Sequence, residues 1–331
     1  MTLKQLGMAL LIYSNFGLFT LISAAEKEAT QNETLVPEEI LQMSTRKDLT
    51  DHVFLVDKSK RLLQVFKRDG NNFKKIDEHP TDIGKNDGAK TKRNDRRTPE
   101  GIYFLIQKLT QPEIPFDQYG SRAFPTDYPN FFDRRFQRTG DGIWLHAIPD
   151  NVPLTRGSRG CVVVRNNVIA NLEPYIQLQL TPIVIKDKIN YVSVTEHNKM
   201  KEHLTSLVDQ WREAWQSQDM DKYLSFYHED FTAPGFKNLA RWTKHKKNLK
   251  ERYAYVKVTL SDALILKYKN QYIIKATQDY ESDQHKDSGL KTLYVLEGDD
   301  GRLKIVREEW TILAPSNLAP NTTTTNSAAV K

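Results

Sequence analysis

The chain has 331 residues, and 39% hydrophobic content with 14 Phe, 14 Tyr and 5 Trp supplies enough apolar mass for two cores, which excludes a mainly disordered protein. Lys and Arg total 48 against 42 Asp and Glu, a net charge of +6, which suits an anionic surrounding but is too mild to indicate nucleic-acid binding. One cysteine, Cys161, excludes an internal disulfide framework and any multi-cysteine metal site. Eight scattered histidines without ligand spacing argue against metal or cofactor chemistry.

The first 25 residues read as an export signal. Lys4 is followed by an uncharged apolar run from Met8 to Ile22, and Ser23-Ala24-Ala25 offers a cut before Glu26. The run is shorter than the ~20 residues of a membrane helix, so no stable membrane span is expected after cleavage, and a periplasmic location follows. A lone thiol outside the cytoplasm is exposed to oxidation, which makes Cys161 a candidate nucleophile.

Residues 26–48 are expected to form a polar leader with a short helical stretch around Pro37-Glu38-Glu39-Ile40-Leu41. Residues 49–188 read as a mainly β domain. Short apolar runs, among them His52-Val53-Phe54-Leu55-Val56 and Leu62-Leu63-Gln64-Val65-Phe66, alternate with Asp/Gly/Asn/Ser turns. A single helix fits residues 167–175. The basic stretch 85–97 reads as a solvated loop, or alternatively as a guide for an anionic polymer.

Residues 189–200 are expected to be a polar linker. Beyond it, Leu204, Leu207, Val208, Trp211 and Trp215 form a helical stripe. The two tryptophans suit a core better than a sugar platform, and His228-Glu229-Asp230 reads as a helix-end cap. Strand-like runs over 255–267, 271–280, 290–297 and 303–311 complete an α+β domain spanning 201–313. Residues 314–331, with four consecutive threonines, form a low-complexity tail expected to be disordered.

The chemistry concentrates in Gly142-Ile143-Trp144-Leu145-His146-Ala147 and Gly157-Ser158-Arg159-Gly160-Cys161. A strand delivers His146 at its end, and a glycine-containing turn delivers Cys161 fifteen positions later. A thiol needs a base within hydrogen-bond reach to become the attacking thiolate. Gly160 allows close backbone approach, and the amides around it are candidates for an oxyanion site.

These segments, with Arg97-Thr98-Pro99-Glu100-Gly101-Ile102-Tyr103, resemble the L,D-transpeptidase catalytic domain (YkuD-type) family, over roughly residues 50–188. The resemblance implies an L,D-transpeptidase-type β-sandwich acting on peptidoglycan stem peptides, with Cys161 as the acylated nucleophile, His146 as its base and the Ala147 carbonyl orienting the imidazole. The family's second histidine is replaced by Arg159. The arginine usual two positions after the cysteine is replaced by Val163, with Arg165 two further on. Cys-Val-Val-Val-Arg-Asn-Asn and Tyr128-Pro129-Asn130-Phe131-Phe132-Asp133 are similar to a proteobacterial L,D-carboxypeptidase branch that affects cell shape. The C-terminal domain is similar to the cone-shaped nuclear transport factor 2-like fold, which suits either a pocket or a homodimer contact. Substrate contacts are expected from Arg159, Ser158, Arg165, Tyr128 and Trp144.

Overall fold

The computed structural model describes residues 34–46, 49–155 and 157–312; the expected signal segment, part of the leader, Arg156 and the C-terminal tail lie outside them. The catalytic half is a sandwich of two sheets. One has the order β5-β4-β3-β11-β6, from β3 (His52–Asp57), β4 (Leu62–Asp69), β5 (Asn72–Pro80), β6 (Gly101–Phe104) and β11 (Pro182–Lys186). The other runs β10-β9-β8-β7, from β7 (Leu109–Thr110), β8 (Arg122–Pro125), β9 (Trp144–Ile148) and β10 (Val162–Arg165).

Phe54, Val56, Leu63 and Val65 of the first sheet meet Phe124, Leu145, Ala147, Val162 and Val164 of the second. The helix Asn166–Leu172 closes this core with Val168, Ile169 and Leu172, and a 3-10 turn, Glu173–Tyr175, follows it.

The C-terminal half opens with the long helix Val194–Gln216, followed by the helices Met220–Ser225 and Leu239–Arg252. These cover a curved sheet of order β13-β18-β17-β16-β15-β2, the last strand being Ile40–Gln42, with β14 also pairing β16. Its strands are β13 (Tyr227–Thr232), β14 (Val256–Leu260), β15 (Leu264–Tyr268), β16 (Gln271–Ser282), β17 (Lys286–Glu297) and β18 (Leu303–Ile312). The helical stripe is buried as its spacing predicts: Leu204, Leu207, Val208, Trp211 and Trp215 pack with Tyr223, Phe231, Trp242, Ile274 and Val295. The fold class is therefore a strand-rich catalytic domain followed by an α+β, nuclear transport factor 2-like domain.

A third core joins the halves. β3 is buried at all six positions, because alternate residues face opposite ways and both faces are covered. Phe54 and Val56 point into the sandwich, whereas Val53 and Leu55 pack with Leu264, Leu266, Ile273, Tyr294 and Val306 of the C-terminal sheet.

Several expectations are corrected. The stretch at 37–41 is not helical but a pair of strands, β1 (Leu35–Pro37) and β2 (Ile40–Gln42), that turn at Glu38 and Glu39. β2 joins the C-terminal sheet beside β15, and β1 pairs β12 (Tyr191–Ser193). The turn is fixed by charge: Lys186 donates to Glu38 at 2.7 Å and to Glu39 at 2.8 Å, and Lys267 donates to Glu38. The stretch expected to be a linker is β12 and the first turns of the long helix, capped by the Ser193 hydroxyl accepting from the Glu196 amide at 3.1 Å. The run 255–267 splits into β14 and β15. His228-Glu229-Asp230 caps no helix but lies on β13, where Asp230 pairs with Arg135 of the catalytic half at 3.0 Å.

Candidate active site

β9 and β10 run parallel, with Val162 opposite Leu145 and Val163 opposite His146. Leu145, Ala147, Val162 and Val164 face the sandwich core, so His146 and Val163 face the other way. One further step of that register sets Cys161 beside Trp144, on the face of His146. His146 lies in mid-strand rather than at a strand end.

The imidazole of His146 is buried, and its Nδ1 lies 2.6 Å from the Ala147 carbonyl. A carbonyl only accepts, so Nδ1 carries the proton and Nε2 keeps its lone pair. Burial lowers the imidazole to about 4, although the Ala147 carbonyl and the charge of Asp82 oppose the shift. The Cys161 thiol donates to the Gly142 carbonyl at 3.5 Å. Burial pushes it up to about 11, while the Trp144 backbone and the charge of Lys90 pull it down. At neutral pH the thiol and the imidazole are both uncharged.

The turn before Cys161 is internally bonded. The Ser158 hydroxyl donates to the Cys161 carbonyl at 2.8 Å and accepts from the Gly160 amide at 3.1 Å. Two expectations are corrected by this: the Ser158 hydroxyl braces the turn instead of facing substrate, and the Gly160 amide is engaged rather than open to an oxyanion. Gly160 is nonetheless required. Its φ is +132°, and a Cβ there would lie 2.7 Å from the Arg97 carbonyl oxygen.

The other expected contacts divide. Arg159 is exposed. Trp144 is half-buried against Tyr119, with ring centroids 4.8 Å apart. Arg165 instead clasps the preceding loop, donating to the carbonyls of Pro149 at 3.4 Å and Val152. Tyr128 is buried, donating to the Thr139 carbonyl at 3.0 Å and packing edge-on against Tyr103, so it belongs to the core.

Residues absent from the sequence reading complete the site. Tyr119 stands edge-on to His146 at 5.1 Å. Its helix, Phe116–Tyr119, ends at Gly120, where a Cβ would lie 2.6 Å from the Ala147 Cβ. Asp82 templates the cysteine turn: it exchanges backbone hydrogen bonds with Val163, and its carboxylate accepts from the Gly157 amide at 2.6 Å and the Ile83 amide at 2.9 Å. The basic stretch 85–97 is no loose loop. Asp95 gathers the Lys90 ammonium at 2.8 Å and the amides of Thr91, Lys92 and Arg97. Burial opposes ionisation there, but these donors hold its carboxyl down at about 2.

The C-terminal domain holds a cavity of about 390 Å³, lined by Trp215, Trp242, Lys246, Gln278 and Trp310 among others. The Lys246 ammonium lies 4.2 Å from the Trp215 ring and 4.5 Å from that of Trp242, and burial lowers it to about 8. Trp211 is wholly core, hydrogen-bonded to Tyr227. Among the described residues, no helix is long and apolar enough to cross a membrane.

Residues 51–185 match the L,D-transpeptidase catalytic domain, and residues 203–309 match a C-terminal NTF2-like domain described for Cds6. Among solved structures, Bd1075 of Bdellovibrio bacteriovorus is 53% identical, covering 86% of this chain and 100% of its own, with a TM-score of 0.79. The helical cell shape determining protein Pgp2 of Campylobacter jejuni is 28% identical, covering 82% of this chain and 95% of its own, with a TM-score of 0.66. No curated protein matches the chain. The chain belongs to the L,D-transpeptidase catalytic-domain family, in the form that carries a C-terminal NTF2-like domain.

Proposed function

We propose that the protein is an exported, cysteine-dependent L,D-carboxypeptidase that removes the terminal D-alanine from peptidoglycan tetrapeptide stems. The observation that carries this reading is the Nδ1 contact of His146 with the Ala147 carbonyl, which leaves Nε2 free on the face that bears the chain's lone cysteine. Cys161 Sγ attacks the carbonyl carbon of the third stem residue, at its L-centre, as His146 Nε2 takes the thiol proton. The C–S bond forms, the amide C–N bond breaks, and the proton passes from His146 to the departing D-alanine nitrogen. Water then attacks the thioester. His146 accepts its proton and returns one to sulfur, leaving a tripeptide carboxylate and free enzyme.

Trp144 and Tyr119 form the aromatic side of the substrate cleft. Arg159 is the exposed cation placed to meet a stem carboxylate. With the Gly160 amide engaged, the Cys161 amide is the backbone donor next to the reacting carbon. Cleavage after Ala25 and a periplasmic location accompany this reading, because its substrate lies outside the cytoplasm.

Purified protein incubated with disaccharide tetrapeptide should yield disaccharide tripeptide and D-alanine by mass spectrometry, and Cys161→Ala should yield neither. A 3-3 cross-linked dimer as the product would replace the reading with an L,D-transpeptidase. No product, and no thioester with a carbapenem-like acylating agent, would replace it with a wall-binding scaffold.

A further inference from the structure

Lys58, just after β3, and Glu100, just before β6, form an ion pair at 2.8 Å with side chains only 4% and 7% exposed. Lys58 has three donors, and all have acceptors: Glu100 Oε1, the Gly88 carbonyl at 2.8 Å and the Thr98 carbonyl at 3.2 Å. Lys58 thus ties together both ends of the basic loop. The far end of that loop borders the nucleophile's turn. The Thr98 hydroxyl accepts from the Gly84 amide at 2.8 Å, and the Arg97 carbonyl sits where a Gly160 Cβ would be.

The second oxygen of Glu100 is not satisfied by the catalytic domain. Its partner is Tyr268 on β15, whose hydroxyl donates to Glu100 Oε2 at 3.2 Å. Tyr268 is fully buried in the core shared by the two halves. A buried carboxylate stripped of one donor either shifts to find another or leaves an acceptor unpaired, and its lysine moves with it.

We propose that Tyr268, contributed by the C-terminal domain, is a positioning residue for the active site. Through Glu100 and Lys58 it fixes the basic loop that walls the turn carrying Cys161. The C-terminal domain is then part of the apparatus that shapes the cleft. The inference deepens the proposed function at the same site, but the loop's order is measurable without any assumption about substrate.

The test compares full-length Tyr268→Phe, Glu100→Gln and the double variant with wild type. Tyr268→Phe keeps the ring and its packing. Trypsin has sites at the exposed Lys85, Lys92 and Arg96, so its cutting rate within 85–97 reports loop order. That rate should rise about five- to tenfold in Tyr268→Phe, the size expected when a buried acceptor loses its donor. KM for disaccharide tetrapeptide should rise by a similar factor, with a smaller change in kcat. The double variant should be no worse than Glu100→Gln alone, since both act through one contact. If Tyr268→Phe does not fold, Glu100→Gln, which also strips the buried Lys58 ammonium of its counter-charge and lowers the melting temperature, must still speed cutting of the loop well below its own unfolding transition. Wild-type cutting of the loop in either folded variant, or additive effects in the double variant, would overturn the proposal. Accelerated cutting with no activity in any form, wild type included, would support the positioning role and reject the carboxypeptidase reading.

Discussion

Replacing His146 by Gln tests the chemistry proposed for the two residues, because Gln fills much of the ring's space and leaves the half-buried thiol's surroundings largely unchanged. With its pKa at about 11, the free thiol is ionised in only about one molecule in 3,000 at pH 7.5, against roughly one in ten for an ordinary cysteine at ~8.5. Without a base, acylation must await that fraction, so its rate should climb about tenfold per pH unit from pH 7 towards 10. In the wild type, His146 is neutral above about 4, and acylation should be nearly flat from pH 6 to 9. At pH 7 the variant should trail by ~10²–10⁴-fold, the usual contribution of a general base, and the gap should close with rising pH. The assay is intact-protein mass spectrometry with a carbapenem-like acylating agent across this range. A variant that plateaus near pH 8.5 would refute a burial-raised thiol. A variant that labels at the wild-type rate at pH 7 would refute His146 as the base.

Three further outcomes are expected. Gly160→Ala should cost about 1–3 kcal/mol and suppress acylation, since it forces a left-handed φ on a side chain that meets the Arg97 carbonyl; thermal unfolding and labelling read both effects. The imidazole, lowered to about 4 from ~6.5, contributes stability that is present above pH 6.5 and lost as pH falls through 4, up to about 3 kcal/mol in total. Urea unfolding of His146→Gln should therefore weaken less than wild type between pH 7.5 and 4.5, and parallel loss would exclude this linkage. A fragment spanning residues 34–190 should be insoluble, or bind a hydrophobic dye. It exposes Val53, Leu55, Ile102 and Phe104, each burying ~1.5–3 kcal/mol, against a typical total stability of ~5–15 kcal/mol.

The proposed nucleophile and base stand out in the sequence because their signals are singular: one cysteine, and one histidine in an apolar strand fifteen residues before it. The helical stripe ending at Trp215 was legible because period 3.6 over a 23-residue helix is hard to mistake. Polar residues around the cysteine were not. Ser158, Arg165 and Tyr128 look equally suited to substrate or to their own loops, and only geometry shows each bonded to a nearby carbonyl. Tyr119 sits on a four-residue helix, too short for any period, and Asp82 acts on a turn 75 residues away. The shared core was hidden for another reason. His52-Val53-Phe54-Leu55-Val56 reads as any buried strand, and nothing in it says that the second face is covered by a sheet more than 200 residues downstream.

β2 has a consequence for how the molecule assembles. Residues 40 and 42 pair with residues 266 and 265, so the C-terminal sheet takes its edge strand from the beginning of the chain. About two thirds of the polypeptide is the loop that this pairing closes. The entropic cost grows only as the logarithm of length, so the contact is affordable at equilibrium. The rate is another matter, since folding slows as contacts join distant parts of the sequence. A chain emerging N-terminus first holds Ile40 and Leu41 uncovered until β15 arrives. The native state is thus completed only once β15 has been made, rather than domain by domain along the chain.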